Sequence, residues 1–394
     1  MSIKFDFETE SIKRPSSLKE IITPEQLKKN GIVTFAAGEM DFKCAPVIND
    51  AIIKLASNGY YGFTLKDKAY EDAIIYWYKK TRNIDINRDD IVTTLGTIHS
   101  LANCIKLFCK KKDDAIIVLA PYYSRYKQAA DRLNRRTVVS NLIEKDNTYY
   151  FDFKDIEEKF KDNHNKILVL NNPLNPSGTI FSKSDIQKLC DLSNKYGVIV
   201  FSDEIFGEIS LNNEYIPSYY SCINDSYGIV CTSLGKTFSM TGLNHANVFI
   251  KDKTLRDKFI KQRTNDHYGS IDPLAYEATL AGYTNDGYLW LKKMCNLVNK
   301  NSKLVHKIIE EYFPELRVFD NKGSFVCWID FSAWHKKSEE LHEYLIDKAM
   351  LDLDIGDNYG DDYSSYARMS LGSTYKQTKL AMQRLIKIKD GKDK

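Results

Sequence analysis

The feature that most constrains the fold is a series of short apolar runs in the middle of the chain, each followed by polar or turn residues. The runs cover residues 115–119, 167–170, 198–201 and 229–231. Their length and composition predict buried parallel strands. Amphipathic stretches lie between them; residues 183–195, for example, follow a serine and end just before Gly197, as a capped helix does. This alternation predicts an α/β sheet with helices on both faces.

The pattern changes after Asp286. A helix-like stretch covers residues 287–313, an alternating segment covers 323–331, a second helix covers 337–350, and a final strand and helix follow. These elements predict a separate α+β subdomain. No internal repeat, low-complexity tract or Pro/Gly/Ser-rich linker interrupts the chain, so we expect one continuous body.

The composition argues against several function classes. The 394 residues contain 56 Lys and Arg and 53 Asp and Glu, interleaved throughout, for a net charge of +3. That balance argues against a nucleic-acid partner, which requires a field of one sign. The longest apolar runs are far shorter than the roughly 20 residues that span a bilayer, so we expect no membrane insertion. The N-terminus lacks a secretory pattern and the eight cysteines include no C-x-x-C pair, so we expect a cytoplasmic protein.

Two short motifs can be set aside. Gly235-Lys236-Thr237 ends like a phosphate-binding P-loop, but residue 230 is Val where that loop needs Gly. His342-Glu343 begins like a zinc-binding helix motif, but Ile346 stands where the second ligand is required. We therefore expect neither a nucleotide site nor a metal site.

A third set of residues matches one chemistry. Asp203 follows a predicted strand, Lys236 follows the next, Asn175 lies in a turn-rich segment, and Arg368 lies near the C-terminus. Ligands of parallel sheets gather at the carboxyl ends of the strands, where several of these residues fall. A pyridoxal phosphate enzyme needs a lysine to bind the cofactor covalently and a carboxylate for its pyridine nitrogen. It also needs phosphate donors and a cation for the substrate carboxylate.

Over nearly its whole length, the chain resembles the superfamily of fold-type I pyridoxal phosphate enzymes of aminotransferase class I/II. The motifs are N-P-L-N-P-S-G at residues 172–178, S-D-E-I at 202–205 and S-L-G-K-T-F at 233–238. Shorter matches resemble the cystathionine β-lyase-like carbon-sulfur lyase branch: K-R-P-S-S-L-K at 13–19, E-M-D-F at 39–42 and K-T-F-S-M-T-G-L-N at 236–244.

The resemblance implies an architecture. The expected fold class is α/β: a large domain with a mostly parallel seven-stranded sheet covered by helices, plus a smaller α+β domain built from the N- and C-terminal segments. The implied boundaries are an N-terminal arm and part of the small domain at 1–50, the cofactor-binding domain at 51–286, and the C-terminal small domain at 287–394. The resemblance also implies a homodimer with active sites at the subunit interface, pyridoxal 5'-phosphate as cofactor, and a small amino-acid substrate.

Carried over by position, the resemblance gives the catalytic residues their roles. Lys236 holds the cofactor covalently and shuttles the proton, and Asp203 keeps the pyridine nitrogen protonated. Asn175 donates to the phenolic O3' of the cofactor. Arg368 binds the substrate α-carboxylate through its planar guanidinium, which suits a bidentate pair.

The remaining roles concern cofactor binding. Tyr123 stacks on the pyridine ring. Gly96 and Thr97 open a helix after residues 91–94 and offer backbone N–H groups and a hydroxyl to the phosphate. Ser233 adds a second hydroxyl.

Three positions depart from the family pattern. Phe206 stands where aminotransferases usually have Tyr and the lyases usually have His, so no side chain there can hydrogen-bond. Phe63 stands where the family lends a tyrosine to the neighbouring subunit's phosphate, although Tyr60 or Tyr61 could replace it. Gly235 stands where many relatives have a second serine, which removes a phosphate donor.

Three functions remain open from the sequence. The first is a carbon-sulfur β-lyase that acts by α,β-elimination on cystathionine or a cysteine conjugate, giving thiol, pyruvate and ammonia. The second is a class I/II aminotransferase. The third, which the losses at Phe206 and Phe63 keep open, is a cofactor-binding regulatory protein with weak catalysis. The lyase is favoured because the shorter motifs match that branch and position 206 lacks the aminotransferase tyrosine.

Overall fold

The computed structural model describes residues 5–11, 13–23, 28, 31–223, 228–266 and 268–389. Its main feature is a seven-stranded sheet in the order β2-β10-β9-β8-β7-β3-β4. Five neighbouring strands run parallel, and β10 lies antiparallel between β9 and β2. The mostly parallel seven-stranded sheet predicted from the family resemblance is thereby confirmed. The strands are β2 (Ile91–Thr94), β3 (Ala115–Ala120), β4 (Arg136–Asn141), β7 (Asn165–Asn171), β8 (Ile199–Asp203), β9 (Gly228–Thr232) and β10 (Ala246–Phe249).

The strands coincide with the apolar runs because those runs are buried on both faces. Every residue of β3, β8 and β9 is buried, and helices pack against the strands of the sheet. The predicted helix at 183–195 is observed at Lys183–Tyr196, where the Ser182 hydroxyl accepts from the Asp185 amide at the start. The helices of this part of the chain are α2 (Pro46–Asn58), α3 (Lys68–Arg82), α4 (Thr97–Phe108), α5 (Arg125–Arg132), α6 (Phe153–Lys161), α7 (Lys183–Tyr196), α8 (Leu234–Thr237), α9 (Lys253–Asn265) and α10 (Pro273–Gly282).

A second, antiparallel sheet lies in the C-terminal part of the chain, in the order β11-β12-β15-β14. The N-terminal segment joins this part, because β1 pairs in parallel with β13. An α+β region built from both ends of the chain was predicted from the family resemblance and is confirmed. Its elements are α1 (Leu18–Ile22), β1 (Val33–Thr34), α11 (Asn285–Tyr312), β11 (Arg317–Val318), β12 (Val326–Asp330), α12 (Ser338–Ala349), β13 (Leu351–Asp352), β14 (Asp354–Ile355), β15 (Tyr366–Ser370) and α13 (Tyr375–Lys389).

The domain boundaries at residues 50 and 286 stay predictions, and both fall inside helices, α2 and α11. β5 (Ile143–Lys145) and β6 (Thr148–Tyr150) form an antiparallel two-stranded ribbon, separate from the main sheet. Within the described residues, no helix combines the length and apolar character needed to cross a bilayer.

Candidate active site

A cavity of about 950 Å³ opens beside the carboxyl ends of β7 and β8, and polar residues from all parts of the chain line it. Parallel strands direct the residues that follow them toward one edge of the sheet, which explains this convergence. Seven of the eight predicted site residues line the cavity, and Ser233 lines a smaller cavity that shares several of the same walls. The seven are Gly96, Thr97, Tyr123, Asn175, Asp203, Lys236 and Arg368.

Lys236 lies in the short helix α8, directly after β9, and its Nζ donates to the carbonyl of Gly38. Gly38 has no side chain to fill the cavity here; a Cβ atom on it would lie 3.3 Å from the Lys236 Nζ. Burial, with the nearby charge of Arg368, lowers the pKa of the Lys236 ammonium from 10.5 to about 8. About a tenth of the lysine is therefore an uncharged nucleophile at pH 7, where an ordinary lysine is almost fully protonated.

Asp203 ends β8 and is buried. The Tyr126 hydroxyl donates to its Oδ2 at 2.6 Å, and the Ile205 amide donates to its Oδ1 at 3.2 Å. Burial raises the pKa of the Asp203 carboxyl to about 6, and those two hydrogen bonds oppose the rise. The carboxylate is thus present at neutral pH in a place where little water competes for its charge.

Arg368, on β15, is buried and surrounded by acceptors. Its Nη1 donates to Asn175 Oδ1 at 3.1 Å, and its Nη2 donates to the Ala36 carbonyl at 2.7 Å. Asp354 Oδ2 lies 2.8 Å from the same Nη2. Burial opposes the charge on Arg368, but Tyr359, Asp354 and Tyr123 together raise its pKa above the ordinary value. The guanidinium is therefore held charged and oriented at the cavity wall.

The start of helix α4 forms another wall. Gly96 precedes the helix with φ of 146°, a backbone conformation that favours glycine, and no atom lies within 4 Å of the Cβ position. The first amide N–H groups of a helix have no partners within the helix, so they can bind an anion. Ser233 caps α8 and donates to the His245 carbonyl at 2.7 Å. Thr97, Ser233 and His245 all line the smaller cavity beside this helix end.

Aromatic rings bound the cavity on other sides. Tyr123 lines it and contacts Tyr126 edge-to-face, with centroids 5.7 Å apart. Phe206 is buried against Phe325, also edge-to-face, at 5.3 Å. The Lys236 ammonium lies 5.9 Å from the centroid of the Phe206 ring. Position 206 thus contributes an apolar wall in place of the polar group that the family resemblance led us to look for.

Phe63 does not contribute to the cavity of its own chain. Its side chain is fully exposed, and Tyr60, Tyr61 and Leu65 beside it are each more than half exposed. These residues connect α2 to α3.

Sequence reasoning missed three residues that contact the predicted ones. Tyr126 lies in the first turn of α5, three residues after Tyr123, which precedes the helix. Gly38 belongs to a segment far from Lys236 in the sequence, and Asp354 belongs to a two-residue strand, too short for a pattern to identify. Among the described residues, no group of histidine, cysteine or acidic side chains is arranged to hold a metal ion.

The profile of the family described as aminotransferase class I and II matches residues 30–385, which is most of the chain. The chain belongs to this family.

Individual relatives cover nearly the same span. A cystathionine β-lyase, PatB of Bacillus subtilis strain 168, is 27% identical over 338 residues, covering 85% of this chain and 86% of the relative. An aspartate aminotransferase of Pyrococcus horikoshii is 24% identical over 372 residues, covering 92% of each. The crystal structure of cystalysin from Treponema denticola, which contains pyridoxal 5'-phosphate, superimposes with a TM-score of 0.92 and 26% identity, covering 98% of this chain and 99% of cystalysin.

Proposed function

We propose that this protein is a pyridoxal phosphate-dependent carbon-sulfur β-lyase. The observation that carries the proposal is the convergence of Lys236, Asp203 and Arg368 on one cavity, in a chain that is 27% identical to a cystathionine β-lyase. Lysine, carboxylate and guanidinium are the three groups that an amino-acid-transforming pyridoxal phosphate site requires.

The residues present fit pyridoxal phosphate. The Lys236 amine is activated by its low pKa, and the Asp203 carboxylate is buried where it can pair with a ring N–H. The open space over Gly96, at the start of α4, suits a phosphate. Tyr123 offers an aromatic face to a flat ring. Lys236 and Asp203 are our candidates for the catalytic residues, and Gly96, Thr97, Tyr123, Asn175 and Ser233 for further cofactor contacts.

When bound, the cofactor supplies an electron sink for the bonds at the substrate α-carbon. Arg368 binds the substrate α-carboxylate, and Asn175 orients the guanidinium through the contact at Nη1. Lys236 Nζ accepts the α-proton and can donate it to the departing sulfur. The Asp203 carboxylate would stabilise the positive charge of the cofactor's ring nitrogen. The net reaction takes up water and yields a thiol, pyruvate and ammonia.

An aminotransferase is the second candidate. The similarity to an aspartate aminotransferase over 92% of the chain favours it. Both activities use Lys236 and Asp203, so these residues do not discriminate between them. What differs is where Lys236 would deliver the α-proton, which would go to the departing sulfur in a lyase and to the cofactor in an aminotransferase.

The test is to purify the protein with pyridoxal phosphate, record its visible spectrum beside Lys236→Ala, and add L-cystathionine while thiol and pyruvate are measured. We expect a visible band that Lys236→Ala lacks, and thiol and pyruvate in equal amounts. If the visible band instead bleaches without release of thiol, and an added oxo acid restores the band, the aminotransferase would be favoured. A bound cofactor with no conversion of any amino acid would favour the regulatory protein.

A further inference from the structure

Asp354 and Arg368 form a cross-strand pair in the C-terminal sheet. The register of the antiparallel strands β14 and β15 places the two residues directly opposite each other. Side chains in that relation lie close enough to interact, and Asp354 Oδ2 is 2.8 Å from Arg368 Nη2. The backbone pairing therefore builds a carboxylate next to the proposed carboxylate-binding arginine.

Two neighbours fix the orientation of Asp354. The Tyr359 hydroxyl donates to its Oδ2 at 2.7 Å, and the Asn358 amide donates to its Oδ1 at 2.7 Å. The Asp354 side chain is 20% exposed, and it lines the same cavity as Lys236 and Arg368. The carboxylate thus faces the space that a substrate enters.

The charges of Arg368 and Asp354 offset each other before any substrate binds. Arg368 carries one positive charge, and Asp354 already offsets it. The Arg368 Nε is buried and has no hydrogen-bond partner among the described residues, so the guanidinium retains an unused donor. When a substrate carboxylate joins the same guanidinium, two carboxylates share one cation. That leaves a surplus negative charge, which Glu39, another cavity-lining carboxylate, increases.

We propose that Asp354 is a specificity-determining residue that favours substrates with a cationic group on the sulfur substituent and disfavours those with an anionic one. A substrate ammonium offsets the surplus charge, whereas a second substrate carboxylate adds to it. This inference rests on the proposed function, because it concerns the side chain of a cysteine conjugate in that same site.

One cavity-lining cation opposes this selectivity. Arg125 lies at the start of α5, is exposed, and donates to Gln128 Oε1 at 2.9 Å. Solvent screens the exposed charge of Arg125 much more than it screens the partly buried charge of Asp354. We therefore expect Asp354 to dominate the discrimination.

The test compares three cysteine conjugates of similar size: S-(2-aminoethyl)-, S-(2-hydroxyethyl)- and S-(carboxymethyl)-L-cysteine. Thiol release by the cofactor-loaded enzyme gives kcat/KM, and calorimetry on cofactor-loaded Lys236→Ala gives binding affinity without turnover. We expect kcat/KM and binding affinity both to be highest for the cationic conjugate, lower for the neutral one and lowest for the anionic one. The cationic and anionic conjugates should differ by about tenfold or more. Asp354→Asn, which preserves shape, is expected to remove most of that span.

Asp357→Asn is the matched control, because it makes the same substitution three residues away on an exposed side chain outside the cavity. It is expected to keep the wild-type order. Equal affinity of Lys236→Ala for all three compounds, with Asp354 unchanged, would overturn the proposal, even if the Asp354 variant did not fold. If the enzyme prefers the anionic conjugate and Arg125→Ala abolishes that preference, the proposal is overturned, because Arg125 and not Asp354 then determines the selectivity. If no thiol appears from any conjugate, the lyase function fails, but the order of binding affinities still decides the role of Asp354.

Discussion

Lys236 has an amine whose pKa is lowered from 10.5 to about 8 by burial and by the charge of Arg368. Only the uncharged amine attacks an aldehyde, so the reaction of this lysine rises with pH through its own pKa. We expect the rate at which cofactor-free protein develops the visible band, on mixing with pyridoxal phosphate, to rise with a midpoint near pH 8. Stopped-flow absorbance from pH 6 to 10, corrected with Lys236→Ala, measures this. A midpoint near 10 would mean that the cavity does not activate the lysine.

Burial of the charged Asp203 carboxylate lowers the stability of the cofactor-free protein. Its pKa in the folded chain, about 6, exceeds the ordinary value of 3.8, so between pH 4 and 6 the folded protein keeps a proton that the unfolded chain has lost. Stability without cofactor therefore falls as pH rises through that window and stays reduced above it. We expect Asp203→Asn to stabilise the cofactor-free protein by about 3 kcal/mol at pH 7, since each pKa unit is worth about 1.4 kcal/mol.

The advantage of Asp203→Asn is expected to shrink as the pH falls from 6 to 4. Urea unfolding of both proteins without cofactor at pH 4, 5 and 7 tests this, and Asp357→Asn, at an exposed position, serves as the control. A variant less stable than the wild type at pH 7 would contradict the expectation. It would mean that the contacts from Tyr126 and Ile205 outweigh the burial of the charge.

At the scale of elements, the start of helix α4 tests the phosphate assignment. Gly96 has φ of 146°, where an alanine costs about 1–3 kcal/mol of backbone strain. We expect Gly96→Ala to weaken the binding of pyridoxal phosphate at least tenfold, and to affect pyridoxal, which lacks the phosphate, much less. Equilibrium dialysis with both ligands measures the difference.

Gly59→Ala is the matched control for this prediction. Gly59 ends α2 with φ of 70°, has open space around its Cβ position, and does not line the cavity. Its substitution is expected to lower stability without changing the affinity ratio of the two ligands. If both variants reduce the binding of both ligands equally, α4 has no specific role in binding the phosphate.

The elements differ in how well the sequence predicts them. Strands β3, β7, β8 and β9 were predicted because burial on both faces requires an unbroken apolar run, and that run is visible without any tertiary information. The position of Asp203 at the carboxyl end of β8 was predicted for the same reason, whereas its role came from the family resemblance. The contact between Asp354 and Arg368 could not be predicted from the sequence, because it depends on the register of a two-residue strand. Such a strand has no periodicity, and tertiary packing decides its pairing.

At the scale of the whole molecule, the cavity depends on both ends of the chain. The segment after β1 supplies the Ala36 carbonyl to Arg368 and the Gly38 carbonyl to Lys236. That segment is held by the pairing of β1 with β13 and by the hydrogen bond from the Ser370 amide to the Phe35 carbonyl. The segment after β1 therefore positions Arg368 and Lys236 relative to each other. Loss of the pairing between β1 and β13 would affect both residues.

The exposed segment between α2 and α3 bears on assembly. Phe63 is fully exposed, and Tyr60, Tyr61 and Leu65 are 73%, 56% and 67% exposed, so four large apolar side chains within six consecutive residues are exposed in the single chain. Apolar groups concentrated in this way mark a surface that a partner covers. We propose that the partner is a second copy of this chain, in line with the homodimer that the family resemblance implies.

We expect the wild type to be a dimer and the double variant Phe63→Asp, Leu65→Asp to be a monomer at micromolar concentration, because two buried carboxylates from each subunit cost more than the lost apolar contacts alone. Sedimentation velocity measures the masses. Tyr215→Asp is the control, since Tyr215 is 59% exposed on a different segment and is expected to leave the mass unchanged. If the double variant sediments as the wild type does, the segment does not form the interface. If it becomes monomeric and its affinity for pyridoxal phosphate falls as well, the segment of one subunit also supports the cofactor site of the other.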